Sequence, residues 1–152
     1  DLDVHQGDGT ATILAKDAYA LTISVHCAEN FPLRKSVSDF DFAVPMGTGD
    51  EAYLEVVEQA LQTAFQYQPD LMFFQAGVDA LSTDGLGRLE LSRGGMSRRN
   101  QMVFDACVAA KIPCVVFMGG GYSKPIDHTV DAFEDLFVQA GRTHQSIMSG
   151  RP

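Results

Sequence analysis

Three separated stretches of this 152-residue chain hold side chains whose types and spacing could do chemistry. The first is Asp1-Leu2-Asp3-Val4-His5, which reads as the end of a strand. Side chains alternate along a strand, so Asp1, Asp3 and His5 share one face. A carboxylate oxygen and an imidazole nitrogen on that face can hold one divalent ion at about 2.0–2.2 Å. The second stretch, Gln75 to Asp84, follows an apolar run and carries two carboxylates, of which Asp84 is expected as a third ligand. Three protein ligands leave a coordination position for water or substrate, the arrangement of a catalytic metal site. The third stretch is Gly119-Gly120-Gly121-Tyr122, a phenol presented after glycines. Each has an ordinary alternative: a hydrogen-bonded Asp-His pair, an aspartate that forms a turn, a half-buried tyrosine. Gly47-Thr48-Gly49-Asp50 lacks a P-loop lysine and reads as a turn and a helix cap.

These residues need elements to bring them together. Residues 20–26 form a short β-branched run and read as a strand. Residues 27–49 contain two prolines and read as irregular. Asp50 is a plausible N-cap, and Leu54, Val57, Leu61 and Phe65 recur at helical spacing to about residue 67. Leu71 to Ala76 is a near-continuous apolar run, as expected of a strand buried on both faces, and Ile112 to Met118 is a second. Helical patterns over about 94–110 and 128–140 complete the alternation, with a polar tail from Gly141 expected to fray. The fold class is α/β: an open, mostly parallel sheet in three layers, with helices on both faces. Ligands of such sheets bind beyond the carboxyl ends of the strands. The three chemical stretches sit at those ends. The chain opens on a strand already finishing, so upstream sequence and the sheet's early strands are expected to be missing from it.

Composition narrows the function classes. Hydrophobic content of 45% and charged content of 20% suit a globular domain. No apolar stretch approaches the roughly 18 residues a membrane span needs. A net charge of −9 argues against direct nucleic-acid binding, which requires a basic face. Three cysteines, Cys27, Cys107 and Cys114, are no disulfide framework and suggest a reducing compartment. We expect a cytoplasmic protein, with the nucleus open if the source is eukaryotic. His26, His128 and His144 lack partners by spacing and read as structural or exposed.

Taken together the motifs are far more specific than any one of them. Asp1 to Thr10, Ala76 to Gly87 and Gly119 to Tyr122 resemble, in order, the two metal-binding segments and the catalytic tyrosine segment of the histone deacetylase superfamily. Gln6 in place of a second histidine, with Leu86-Gly87 and Gly121-Tyr122-Ser123-Lys124, resembles the class IV members and their bacterial relatives. The likeness covers nearly the whole chain, as the C-terminal part of a single deacetylase domain over residues 1–152. It implies an arginase/deacetylase fold and zinc, or iron(II), held by Asp3, His5 and Asp84. Tyr122 would polarise the substrate carbonyl. A structural potassium ion would lie at Asp1, Asp3, His5, Ser24 and Val25, the last through backbone oxygens. Phe31 and Gly120 would line the substrate channel. The implied substrate is an acetylated lysine side chain or a small acetylated amine. The superfamily's tandem histidines lie upstream of the Asp-x-His segment, so the chain alone is expected to be inactive. Manganese hydrolases related to arginase need further carboxylates where this chain has Gly7 and Leu86, so one metal is expected. Two readings of other classes remain: a non-catalytic metal-binding pseudoenzyme or binding module of the same fold, and a nucleotide-binding α/β protein, against which Asp8 sets a negative charge beside Gly7 and Gly9.

Overall fold

A computed structural model describes residues 1–150 of the chain. Its elements run α1 (Asp8–Leu14), β1 (Ile23–Cys27), β2 (Phe40–Val44), α2 (Asp50–Gln66), β3 (Met72–Gln75), α3 (Arg93–Ala110), β4 (Cys114–Phe117) and α4 (Asp127–Ser149). The strands form two parallel pairs. Ile23 lies opposite Phe40 in one, and Met72 opposite Cys114 in the other.

The opening segment joins the two pairs. Val25 N–H donates to the Asp1 carbonyl at 3.0 Å and Cys27 N–H to the Val4 carbonyl at 2.9 Å. On the other side, Leu2 N–H donates to the Gln75 carbonyl at 3.1 Å. Residues 1–4 therefore run between β1 and β3, and the spatial order is β2, β1, residues 1–4, β3, β4. This is an α/β fold with a parallel sheet.

One face of the sheet carries the core. Val25 and Cys27 of β1, Phe74 of β3 and Val57 of α2 all belong to one buried cluster, with Val103 and Phe104 of α3 and Leu136 of α4. Phe74 meets the Phe104 ring edge-on at 6.1 Å. Helices α2, α3 and α4 lie side by side, α3 touching both others. On the opposite face, Gly7 at the start of α1 donates its N–H to Ser24 Oγ at 3.3 Å. That face is bare over β3 and β4. Phe73 is 61% exposed, and Val115 and Phe117 are exposed beside it. The apolar runs at 71–76 and 112–118 are thus buried on one face only, not on both as the sequence suggests.

Other boundaries differ from expectation for local reasons. Strand β2 falls in the stretch expected to be irregular. It alternates half-buried and exposed residues as an outer strand does, and Asp41 disguises it. Asp50 begins α2 but does not cap it; its carboxylate accepts from Ser92 N–H and Ser92 Oγ–H instead. Ser92 caps α3 through Gly95 N–H. Helix α4 runs to Ser149, well past Gly141, so the tail expected to fray is helical. The short α1 has no signal in the sequence, because its Thr-Ala-Thr-Ile composition disfavours a helix.

Candidate metal centre

Segment 1–4 ends beside the carboxyl ends of β3 and β4, and there the chemistry collects. His5 Nδ1 lies 3.0 Å from Asp3 Oδ1 and 3.1 Å from Asp79 Oδ2. One ligand atom from each of Asp3, His5 and Asp79 falls within 4.8 Å of the other two. Such spacing suits three donors around one ion whose bonds are near 2 Å.

Neighbouring backbone holds the trio. Asp3 Oδ2 accepts from Gln75 Nε2 at 3.0 Å and from Gly120 N–H at 2.8 Å. Asp79 Oδ1 accepts from Val4 N–H at 2.9 Å. Two glycines are required by close approach: a Cβ on Gly77 would strike Asp3 Oδ2, and a Cβ on Gly120 would strike Asp79 Oδ2. The sequence thus brings backbone against carboxylate oxygens where a side chain would separate them.

The electrostatics follow from burial and pairing. Burial works against the Asp3 charge. The bonds from His5 and Gln75 outweigh it and hold the Asp3 carboxyl well below the usual range. Bonds to Asp3 and then to Asp79 raise the His5 imidazole to about 10, against the pull of burial. Burial pushes the Asp79 carboxyl up to about 6. Two carboxylates and an imidazole sharing so small a space suit a cation that replaces the proton.

The trio lies at the buried end of a cleft of about 660 Å³, whose rim includes Phe31, Leu33, Leu86 and Tyr122. Phe31 and Gly120, expected as channel residues, both line it. Tyr122 is 52% exposed and lines it as well.

Asp84 is placed differently. Its Oδ1 accepts from Leu86 N–H and Gly87 N–H, both at 2.8 Å, and its Oδ2 from Tyr122 N–H at 2.6 Å. It does not join the trio. The structure therefore brings Asp3 and His5 together with Asp79, while Asp84 grips the backbone of Tyr122. Asp79 had a signal in the sequence: it is the first carboxylate after β3, flanked by Val78 and Ala80, both buried. At the expected potassium site, Asp1 Oδ1 accepts from Asp3 N–H at 3.0 Å, and Ser24 Oγ lies 3.0 Å from His26 Nδ1. Gln6 is turned away from the cleft and pins residue 36 through both the Ser36 N–H and the Ser36 carbonyl. Among the described residues no histidine other than His5 lines the cleft.

A family profile for the histone deacetylase domain matches residues 1–135. The chain belongs to the histone deacetylase family. An uncharacterised protein of Picosynechococcus sp. is 44% identical over 131 residues, which is 86% of this chain and 44% of that protein. Histone deacetylase 2 of Arabidopsis thaliana is 32% identical over 157 residues, covering all of this chain and 39% of that protein. Among solved structures, a homologue of these deacetylases from Aquifex aeolicus superimposes with a TM-score of 0.78. It covers the whole of this chain and 41% of its own, at 22% identity, a likeness of fold. The chain spans about two fifths of the length of these relatives. No helix among the described residues is long and apolar enough to cross a membrane.

Proposed function

We propose that these residues form the metal-binding and carbonyl-polarising half of a zinc-dependent deacetylase that hydrolyses an acetyl or acyl amide. The observation that carries this reading is the convergence of Asp3 and His5, with Asp79 beside them, at ligand spacing in a cleft that Tyr122 also lines. The donor set, one imidazole and hard carboxylates, suits zinc or iron(II). Zinc, when bound there, would supply a Lewis acid for an amide carbonyl and for an attacking water.

The chain's own residues do the rest. Asp3 and His5 bind the ion. The third ligand is Asp84, as the family resemblance implies; it sits beside Tyr122 and five residues beyond Asp79. A second reading has an observation in its favour: Asp79, not Asp84, has an oxygen 3.1 Å from His5 Nδ1. Tyr122 donates its hydroxyl to the carbonyl oxygen as charge develops there. Phe31 and Leu33 offer the apolar stem of an acyl-lysine a surface at the rim. Potassium at Asp1, Asp3, His5, Ser24 and Val25 would brace the opening segment.

His5 is committed to the ion; the family resemblance implies that the proton carrier is a histidine outside these residues, so that the 152 residues alone have little activity. The substrate is an acetylated lysine side chain or a small acetylated amine, in the cytoplasm. A binding module that keeps the metal without hydrolysis is the reading to beat. One donor to an oxyanion is worth about 2.7–4 kcal/mol, so Tyr122→Phe in the complete protein should slow hydrolysis of an acetyl-lysine peptide by about two to three orders of magnitude, with metal content unchanged. Unchanged turnover would remove Tyr122 from the mechanism. No hydrolysis by the complete protein, with metal bound, would favour the binding module.

A further inference from the structure

Beneath the trio lies a charged side chain that the chemistry above does not use. Arg99 of α3 is 0% exposed. Its Nη1 donates to the Leu2 carbonyl at 3.1 Å and the Gly77 carbonyl at 2.7 Å. Its Nη2 reaches the Ala76 carbonyl at 3.5 Å, and Nη2 and Nε both donate to Asn100 Oδ1, at 2.8 and 3.1 Å. The guanidinium carbon stands 5.5 Å from the Phe74 ring centroid. Among the described residues no carboxylate hydrogen-bonds it.

Burying a guanidinium among neutral acceptors is costly, and apolar packing serves stability as well or better. Its contacts suggest what the charge is for. Leu2 immediately precedes Asp3. Ala76 and Gly77 carry β3 into the turn that bears Asp79. One planar fork therefore ties together the two chain segments that deliver the carboxylates flanking His5. Burial works against the Arg99 charge, and among the groups that favour it are the Asp79 and Asp3 carboxylates. A cation on their buried side eases their mutual repulsion while the cleft side stays open.

We propose that Arg99 is a positioning residue for the metal centre, fixing the spacing between the Asp1–His5 segment and the Gly77–Asp79 turn through their carbonyls. This rests on the metal-binding reading given above. Lysine keeps the charge but cannot span three carbonyls, so Arg99→Lys isolates the fork from the charge.

The test uses the complete protein, with Zn²⁺ affinity measured by competition against a chromophoric chelator and the visible absorption of the Co²⁺-loaded form as a report on ligand geometry. Arg99→Lys should weaken Zn²⁺ binding at least tenfold and change the Co²⁺ spectrum. A merely structural role would lower the melting temperature and leave both unmoved. Arg99→Lys folded by circular dichroism, with affinity within twofold of wild type and the same Co²⁺ spectrum, would overturn the proposal. Should Arg99→Lys fail to fold, Asn100→Ala, which only frees one edge of the guanidinium, should weaken binding about threefold; unaltered affinity there would overturn it equally. His5→Ala separates the two levels: if wild type and His5→Ala bind Zn²⁺ alike, the metal reading itself fails, whereas loss in His5→Ala with no change in Arg99→Lys sinks only the role of Arg99.

Discussion

Asp79 and Asp84 lie five residues apart in one loop, and the fold uses them in opposite ways. Asp79 is sealed from solvent, takes one N–H from Val4 and turns its other oxygen to His5. Asp84 sits in a half-open turn and takes three backbone N–H donors, one of them from Tyr122. One carboxylate builds the imidazole cluster; the other builds the backbone that presents the phenol. The difference teaches that residue type and loop membership do not fix what a carboxylate holds. What separates the two is how many of their oxygens the backbone donors occupy: one N–H on Asp79, three on Asp84.

The largest effect that can break this comparison comes from removing each carboxylate in turn. With Asp84 as ligand, Asp84→Ala should abolish stoichiometric metal by elemental analysis, while Asp79→Asn, losing a group that orients a ligand, should weaken affinity about 10–100-fold. The reverse order would assign the third ligand to Asp79.

Next come the two glycines beside them. Gly120→Ala places a methyl against Asp79 and Asp3 carboxylate oxygens, which burial and their bonds to Val4, His5 and Gln75 hold in place; overpacking of this kind costs about 1–3 kcal/mol. Gly85→Ala, on the Asp84 side, meets only the Tyr122 carbonyl at 3.3 Å and the Lys124 Cε at 3.7 Å. It should cost less than Gly120→Ala, read by denaturant unfolding of the two variants in the complete protein.

Proton linkage is the third handle. His5 is raised to about 10 in the folded protein from an unfolded value near 6.5. The folded state therefore holds the extra proton between those limits, and its contribution is full below about pH 6.5 and lost as pH rises toward 10. Chelator-treated protein should melt at lower temperature as pH climbs from 7 to 10, and His5→Ala should flatten that slope. Zn²⁺ binding at pH 7 should release about one proton, measurable by calorimetry in buffers of different ionisation enthalpy. A flat stability profile with no proton release would contradict the pairing of His5 with Asp3 and Asp79.

The smallest effect is a control far from both carboxylates. Arg93 bridges α3 to Asp131 and Asp135 of α4 at the surface, where Arg93 is exposed and the two carboxylates are half-buried. Arg93→Ala should change stability by no more than about 1 kcal/mol and leave metal affinity untouched.

Much of this was legible in the sequence because some signals are local. The Asp-x-His alternation, the apolar run into β3 and the glycines before Tyr122 each act over a few residues, and together they located the cleft and the family. Legibility failed where the decisive partner is distant. Asp79 stands out only as the first carboxylate after β3, and its place in the cluster shows once Val4 and His5, some 75 positions away, are set on it. Asp50 reads as a cap until Ser92 takes its oxygens. Strand β2 hides behind Asp41 because its neighbour β1, not its own pattern, makes it a strand. The apolar runs of β3 and β4 suggested two covered faces, and only one is covered, since composition cannot say which layers a chain brings with it.

The account depends on Asp3 and His5 sharing one divalent ion, and metal analysis of the complete protein at neutral pH tests that most directly. Wild type should carry about one tightly held zinc or iron ion per chain after dialysis, and His5→Ala none. Equal metal in the two proteins, both folded, would contradict it.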